Sequence, residues 1–401
     1  MYQVFCSQAF CLLVYFSCVI NQGSIMDILS EGNAMFAITL LKKLCEEKPR
    51  NVLFSPPSIS FTLKMILLGT KKETATQITQ LLSFNKKRDI LWGFQLLITE
   101  MNRSSTWYQL QTTNRIFGEN TPNFVQSFRK SCFRFCNSVM EDVCFSQEAE
   151  AIRKYINNWV AKKTEDNILE ILSDGLVDPL SLLVFVNAIN FKASWEQKFD
   201  PRHTYTDALK INQHEKRTFQ IMKMKEEFLT YPLEELNGQL FIFPYCGMEL
   251  TMILVFSTIG DLTKLEKGLT YERFITWTKP ETMALMENHD KTFFLPKIKI
   301  EETCDLEHIL SALGMSDAFD EDRADFSGMF TLKPLYLSKV LHKSYLEINE
   351  EGMKASAATI AAEIPAAAKR SEGLKANGFF LFFIWSYKTK SILFCGRVSS
   401  P

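Results

Sequence analysis

Apolar residues recur at helical spacing through much of the first half of the chain. Over 33–46, Phe36, Leu40, Leu41 and Leu44 fall on one face behind Asn33, a residue type that caps helices, so the pattern predicts a helix. Segments 58–69, 73–83, 89–103 and 149–163 carry the same period. In the last of these Ile152, Ile156, Trp159 and Val160 form the stripe, and each stripe predicts core packing. Later the period changes. Leu182–Phe191 (LLVFVNAINF) is an apolar, β-branched run, which predicts a strand covered on both faces. Leu250–Phe256 and Phe293–Ile300 predict further strands, and Phe379–Tyr387 and Ser391–Val398 predict two more around a turn at 388–390. Helices dominate the first 175 residues and strands the rest, with no linker between them, so the fold class is α+β.

Residues 337–379 break this pattern. Leu337–Asn349 is strand-like, and Glu350-Glu351-Gly352 follows. An alanine-rich run then extends from Met353 to Arg370, with little to anchor it to a core. A connection that long is uncommon in a compact domain and is usually functional. Its alanines allow a helix ended by Pro365. They equally allow a segment able to become a strand later. In a strand Met353, Ala355, Ala357, Thr359 and Ala361 share one face, while Lys354, Ser356, Ala358, Ile360 and Ala362 share the other. The first face is mostly small and uncharged, so it can slide between strands and lie on buried helices, leaving Lys354 in water. Full insertion would add roughly ten ladder hydrogen bonds at ~0.5–1.5 kcal/mol each, on the order of 10 kcal/mol. A protein that withholds this is metastable and can do mechanical work when the segment is cut.

Composition narrows the partners. The 401 residues are 46% hydrophobic and 23% charged, a globular balance that excludes disorder. The net charge of -1 provides no field for a phosphate backbone, so no nucleic-acid partner is expected. Of ten cysteines, three lie in the first 25 residues. The remaining seven lack framework spacing, which suggests free thiols and a reducing compartment. Cys132 and Cys136 could be half a metal site, but no second pair follows, and the five histidines are scattered, so no metal is expected. Val4–Ile20 (VFCSQAFCLLVYFSCVI) is an apolar run of signal-peptide length with no basic residue ahead of it. It is either a weak secretion or anchor signal or an upstream extension before a folded unit that begins at Met26. The thiols favour the extension. No other stretch is apolar enough to span a bilayer, and no stable membrane association is expected.

Several segments now bear on identity. Asn51-Val-Leu-Phe-Ser-Pro-Pro-Ser-Ile-Ser60, Val186-Asn-Ala-Ile-Asn-Phe-Lys-Ala-Ser-Trp195, Leu295-Pro-Lys-Ile-Lys299, Ser338–Lys343, Asn349-Glu-Glu-Gly352, Phe380–Ile384 and Leu393–Arg397 resemble serpin motifs, and the resemblance covers 26–401. Asn190 and Ala193 depart from the family's pattern. The start at Met26-Asp27 and the Ser-Ser-Pro401 ending resemble the ovalbumin-type (clade B) intracellular branch, nearest its granzyme B-inhibiting members. The resemblance implies the serpin fold: helices around a large central mixed β-sheet, two further sheets and an exposed reactive-centre loop at about 350–378.

It also implies roles. Ser55, Ser58, Asn187 and His342 would form the shutter under the point where the central sheet parts. Trp195, Lys297 and Glu350 would form the breach, where insertion begins, with a Lys297–Glu350 ion pair. The hinge would be Glu350, Glu351, Gly352, Met353, Lys354, Ala355, Ser356, Ala357, Ala358 and Thr359. The family's spacing from Gly352 implies a scissile bond between Ala366 and Ala367, bait for an elastase-type pocket. A shifted register would offer Glu363 to a granzyme-type protease, or Lys369 or Arg370 to a trypsin-like one. The implied chemistry is suicide-substrate trapping of a serine protease in a covalent complex by a monomer. No cofactor is needed, and the chain carries no nucleophile signature of an enzyme. Met353 and Lys354 stand where inhibitory members usually have Thr and an acidic residue, which keeps open a non-inhibitory serpin acting as a binding protein or a protease substrate. The branch implies a cytoplasmic location; secretion is the alternative if residues 1–25 are a signal.

Overall fold

The computed structural model describes residues 25–47, 50–83, 97–103, 105–121, 123–136, 138–210, 216–332, 335–337, 340–353, 373–375 and 379–399. Its principal helices are α1 (Ile25–Glu47), α2 (Pro56–Gly69), α3 (Lys72–Leu81), α4 (Gln126–Cys136) and α5 (Phe145–Lys163). Asn33 does not cap α1, as the sequence predicts, but lies buried inside it, where its Oδ1 accepts from the Ser60 hydroxyl of α2 at 3.3 Å. The stripe behind it is correct: Phe36, Leu40, Leu41 and Leu44 are all buried. Pro56 and Pro57 open α2, where a missing N–H costs nothing. Of the helix expected over 89–103, only 97–103 falls within the described residues, and 97–101 are helical.

Two sheets organise the rest. Among the described residues the central sheet has six strands: β2 (Tyr108–Glu119), β3 (Met140–Val143), β4 (Leu183–Ser194), β10 (Ile298–Asp305), β11 (Leu341–Asn349) and β12 (Gly352–Met353), in the order β10-β11-β12-β4-β2-β3. It is mixed, because β2 and β3 run parallel while its other pairs are antiparallel. The second sheet contains β1 (Val52–Phe54), β5 (Tyr205–Lys210), β6 (Lys216–Leu233), β7 (Gly238–Pro244), β8 (Leu250–Ser257), β9 (Glu287–Pro296), β13 (Gly373–Lys375), β14 (Phe380–Ser386) and β15 (Ser391–Val398). The two further sheets expected are joined into this one along β6, which pairs with β5, β9 and β7 in turn. The apolar run at 293–300 is not one strand. Pro296 ends β9, and β10 starts at Ile298 in the other sheet, so Lys297 stands at the crossing.

The main core lies between α1, α2 and the fully buried strands β14 and β15. A second apolar cluster lies between α5 and the central sheet and includes Phe117, Phe145, Ile156, Val160 and Val186. The central sheet is therefore covered on both faces. β11 shows this in its alternation: His342, Ser344, Leu346 and Ile348 are buried, while Leu341, Lys343, Tyr345 and Glu347 are less so. Cys45, Cys132, Cys136, Cys144, Cys246, Cys304 and Cys395 are free thiols. Among the described residues no helix is long and apolar enough to cross a membrane, and no His, Cys, Asp or Glu group could hold a metal.

Candidate functional site

The site is the seam between β4 and β11. Gly352 and Met353 sit in it as β12, antiparallel to both neighbours. Gly352 faces Asn349 and Ser194, and Met353 faces Ile348 and Ala193. No direct ladder between β4 and β11 occurs among the described residues. The turn into β12 is built by Asn349, whose side-chain oxygen accepts from the N–H of Glu351 at 3.0 Å and of Gly352 at 3.2 Å. Gly352 has φ 140°, a region that favours glycine, and a Cβ there would stand 2.3 Å from the Ala193 carbonyl oxygen.

The breach residues come together around this turn. Trp195 is buried, stacks on Tyr245 with centroids 4.7 Å apart, and donates its indole N–H to the Asn349 carbonyl at 3.0 Å. Its backbone N–H donates to the Glu351 carbonyl at 3.0 Å. The expected ion pair is present: Lys297 Nζ lies 3.0 Å from Glu350 Oε2. The Thr204 hydroxyl donates to Glu350 Oε1 at 2.7 Å, and the Phe199 N–H donates to the Glu350 carbonyl at 3.0 Å. Burial raises the Glu350 carboxyl, but the bonds from Thr204 and Lys297 outweigh it and hold the group below its ordinary range. Glu351 pairs with Lys198 at the surface.

Of the residues the resemblance implies for the shutter, Ser55 and His342 are in direct contact. The Ser55 N–H donates to His342 Nε2 at 3.1 Å, and the Ser344 hydroxyl lies 2.7 Å from the same nitrogen. An Nε2 that accepts belongs to a neutral imidazole with its proton on Nδ1. Full burial pushes the His342 pKa from 6.5 down to about 3, which keeps the ring neutral. Asn187 is held by Asn114, its register partner on β2. No described contact joins it to His342. Ser55 Oγ, Ser58 Oγ and Asn187 Oδ1 are buried without a hydrogen-bond partner among the described residues.

Sequence reasoning missed Ser344, Asn114, Thr204 and Lys198, and it placed Asn349 in the hinge motif without its role in building the turn. Ser344 was within reach, because it lies two residues from His342 on one strand and so shares its face. Lys354, Ala355, Ser356, Ala357, Ala358, Thr359, Ala366 and Ala367 lie outside the described residues, as do Glu363, Lys369 and Arg370. So does the extension, apart from Ile25.

A two-residue strand seated between β4 and β11, with a buried neutral histidine further along β11, agrees with the resemblance. The family model described as Serpin (serine protease inhibitor) matches residues 31–401. This chain is a serpin. Serpin B8 of Homo sapiens is 46% identical over 378 residues, spanning 94% of this serpin and 100% of its own length. Leukocyte elastase inhibitor of Equus caballus is 39% identical over 382 residues, with the same coverage of 94% and 100%. A crystal structure of maspin aligns with TM-score 0.82 at 32% identity, covering 95% of this chain and 100% of maspin's. These relatives place the serpin in the ovalbumin-type, clade B branch. The family is one of protease inhibitors and not of enzymes.

Proposed function

We propose that this serpin inhibits a serine protease as a suicide substrate, with Ala366 and Ala367 flanking the bond that is cut. The protease's serine oxygen attacks the Ala366 carbonyl, an acyl ester forms, and the amine of Ala367 leaves. The freed strand then enters the seam before water cleaves the ester. The protease is carried along and loses the sub-ångström geometry that deacylation needs.

The observation that carries this reading is the seat of Gly352–Met353 between β4 and β11. Continued residue for residue, that register runs Lys354 past Lys192 and Glu347, and Thr359 past Asn187 and His342. Partners across a ladder share a face. Met353, Ala355, Ala357 and Thr359 would therefore join the face of Ile348, Leu346, Ser344 and His342, which is buried. Small side chains fit there, and the Thr359 hydroxyl would reach shutter atoms that now have no partner. Lys354 would keep to the less buried face of Glu347.

Ala366 suits a pocket for small side chains, and a relative bears the name leukocyte elastase inhibitor. An elastase-type protease is therefore the first target, with a granzyme-type one next if the cut falls at Glu363. Residues 26–401 form the serpin domain, with the reactive-centre loop at about 350–378, and the protein works as a cytoplasmic monomer; its free thiols suit a reducing compartment. Incubation with elastase-type and granzyme-type proteases should give an SDS-stable complex and release a peptide that begins at Ala367 by mass spectrometry. Clipped chain alone across the panel would make the protein a non-inhibitory substrate instead.

A further inference from the structure

The far end of the central sheet carries exposed apolar side chains that the hinge, breach and shutter do not use. β4 and β11 both run antiparallel to β12, so they start at the same end, roughly 35 Å from the hinge along the length of β4. Leu180 lies three residues ahead of β4, and Tyr336 five ahead of β11. β2 ends there too, and the Glu119 N–H donates to the Leu182 carbonyl at 2.9 Å. Just beyond β2 the Asn123 carbonyl accepts from the Thr331 N–H at 3.0 Å and hydroxyl at 3.2 Å, which brings Leu332 to this end. Held backbone presents these groups. Leu180 is 86% exposed, on a turn where Asp178 Oδ1 accepts from the Leu180 N–H and the Ser181 hydroxyl, each at 3.0 Å. Leu335 and Leu337 pack on the main core, the Leu337 N–H donates to the Ala318 carbonyl at 2.9 Å, and Tyr336 between them is exposed, as is Leu332.

We propose that Leu180, Leu332 and Tyr336 form a contact surface for the deformed protease, which prefers that state of the enzyme to its native one and so prolongs the trap. The proposal rests on the suicide-substrate reading. Continued, the register of β12 on β4 sets Glu363 past Leu183, the first residue of β4. Ile364, Pro365 and Ala366 would then run beyond the strand, where the missing N–H of Pro365 costs no ladder bond. The same count brings Ala366 level with Leu180. A protease held through its serine oxygen on the Ala366 carbonyl would be set down against this surface.

The chemistry of the partner follows from its deformation. A protease that loses its packing exposes apolar side chains, which gain by leaving water, whereas a native protease keeps them inside. A surface that binds one state better shifts the enzyme towards that state by its difference in affinity, and opposes the return that deacylation needs.

The test is hydrogen exchange read by mass spectrometry on the full chain in covalent complex with an elastase-type protease, against the clipped chain freed of protease. The loop is cut in both, so the difference reports the protease alone. Residues 178–182 and 331–337 should exchange several-fold more slowly in the complex. A complex that forms but leaves both segments exchanging as in the clipped chain overturns the surface and leaves the suicide-substrate reading standing; no SDS-stable complex overturns both. The doubly substituted chain, Leu180→Ser with Tyr336→Ser, changes exposed groups only. It should form complex in unchanged yield and free active protease on the order of tenfold sooner. An unchanged lifetime of the complex overturns the proposal.

Discussion

The breach and the shutter face the same seam and treat their polar groups in opposite ways. At the breach Glu350 is held by Lys297 and Thr204, Glu351 by Lys198, and the Asn349 carbonyl by Trp195. At the shutter Ser55 Oγ, Ser58 Oγ and Asn187 Oδ1 are buried with no hydrogen-bond partner among the described residues. The contrast separates two tasks. On the proposed mechanism the breach would keep the hinge in place until the loop is cut, which suits groups already paired. The shutter would receive a strand, and buried atoms left unpaired cost free energy that an arriving hydroxyl would recover.

Breaking the breach should therefore have the larger effect on native stability. Trp195→Ala removes a buried stack on Tyr245 and a hydrogen bond to Asn349. It should lower unfolding free energy by about 3–5 kcal/mol in urea titrations. Loss below about 1 kcal/mol would mean the indole is not what fixes the turn. Gly352→Val ranks next. It places a β-branched residue at φ 140° against the Ala193 carbonyl, and should cost about 1–3 kcal/mol while shifting protease encounters from complex towards clipped chain. Unchanged partitioning would show that β12 can be seated in another way.

Acid sharpens the same comparison. The Glu350 carboxyl is held below its ordinary range, so its stabilisation is present above pH 4.5 and is lost as pH falls through the lowered native value. Glu350→Gln should cost about 1–2 kcal/mol at pH 7, an interaction tempered by the partly exposed Lys297, and the gap to wild type should narrow below pH 4.5. His342 acts earlier. The native ring binds its proton only near pH 3, against 6.5 when unfolded, so stability falls as pH drops from 6.5 towards 3. His342→Gln should flatten that part of the curve and leave the Glu350 part in place. A wild-type profile flat from pH 6.5 to 4.5 would place His342 in water.

The sequence reveals the breach better than the shutter, for a physical reason. Trp195, Lys297 and Glu350 stand in or beside motifs that resemble the family's, and the resemblance implies that Lys297 and Glu350 pair. The bond between Ser55 and His342 joins residues 287 positions apart and can be expected only from the family. Asn114 reaches Asn187 through the register of β2, whose polar run YQLQTTNRIFGE gives no clear strand signal because it mixes core-facing and solvated positions. Thr204 is illegible for the same reason, because only the folded chain brings it to Glu350. The apolar run at 293–300 misled in the other direction, since hydrophobicity continues across Pro296 while the chain changes sheets.

The smallest expected effect isolates what charge contributes at the breach. Lys198 and Lys297 each hold a hinge carboxylate, but the Lys198 side chain is 51% exposed and that of Lys297 29%. Their partners differ more: the Glu351 side chain is 39% exposed, that of Glu350 11%. An exposed pair gains little over solvation by water and weakens further with salt. Lys198→Ala should therefore cost about 0–1 kcal/mol, vanishing at high ionic strength, while Lys297→Ala should cost more and retain most of its effect in salt. Equal, salt-sensitive losses in both variants would show that the Glu350 pair is solvated like its neighbour, and that packing around Trp195, not charge, keeps the hinge in place.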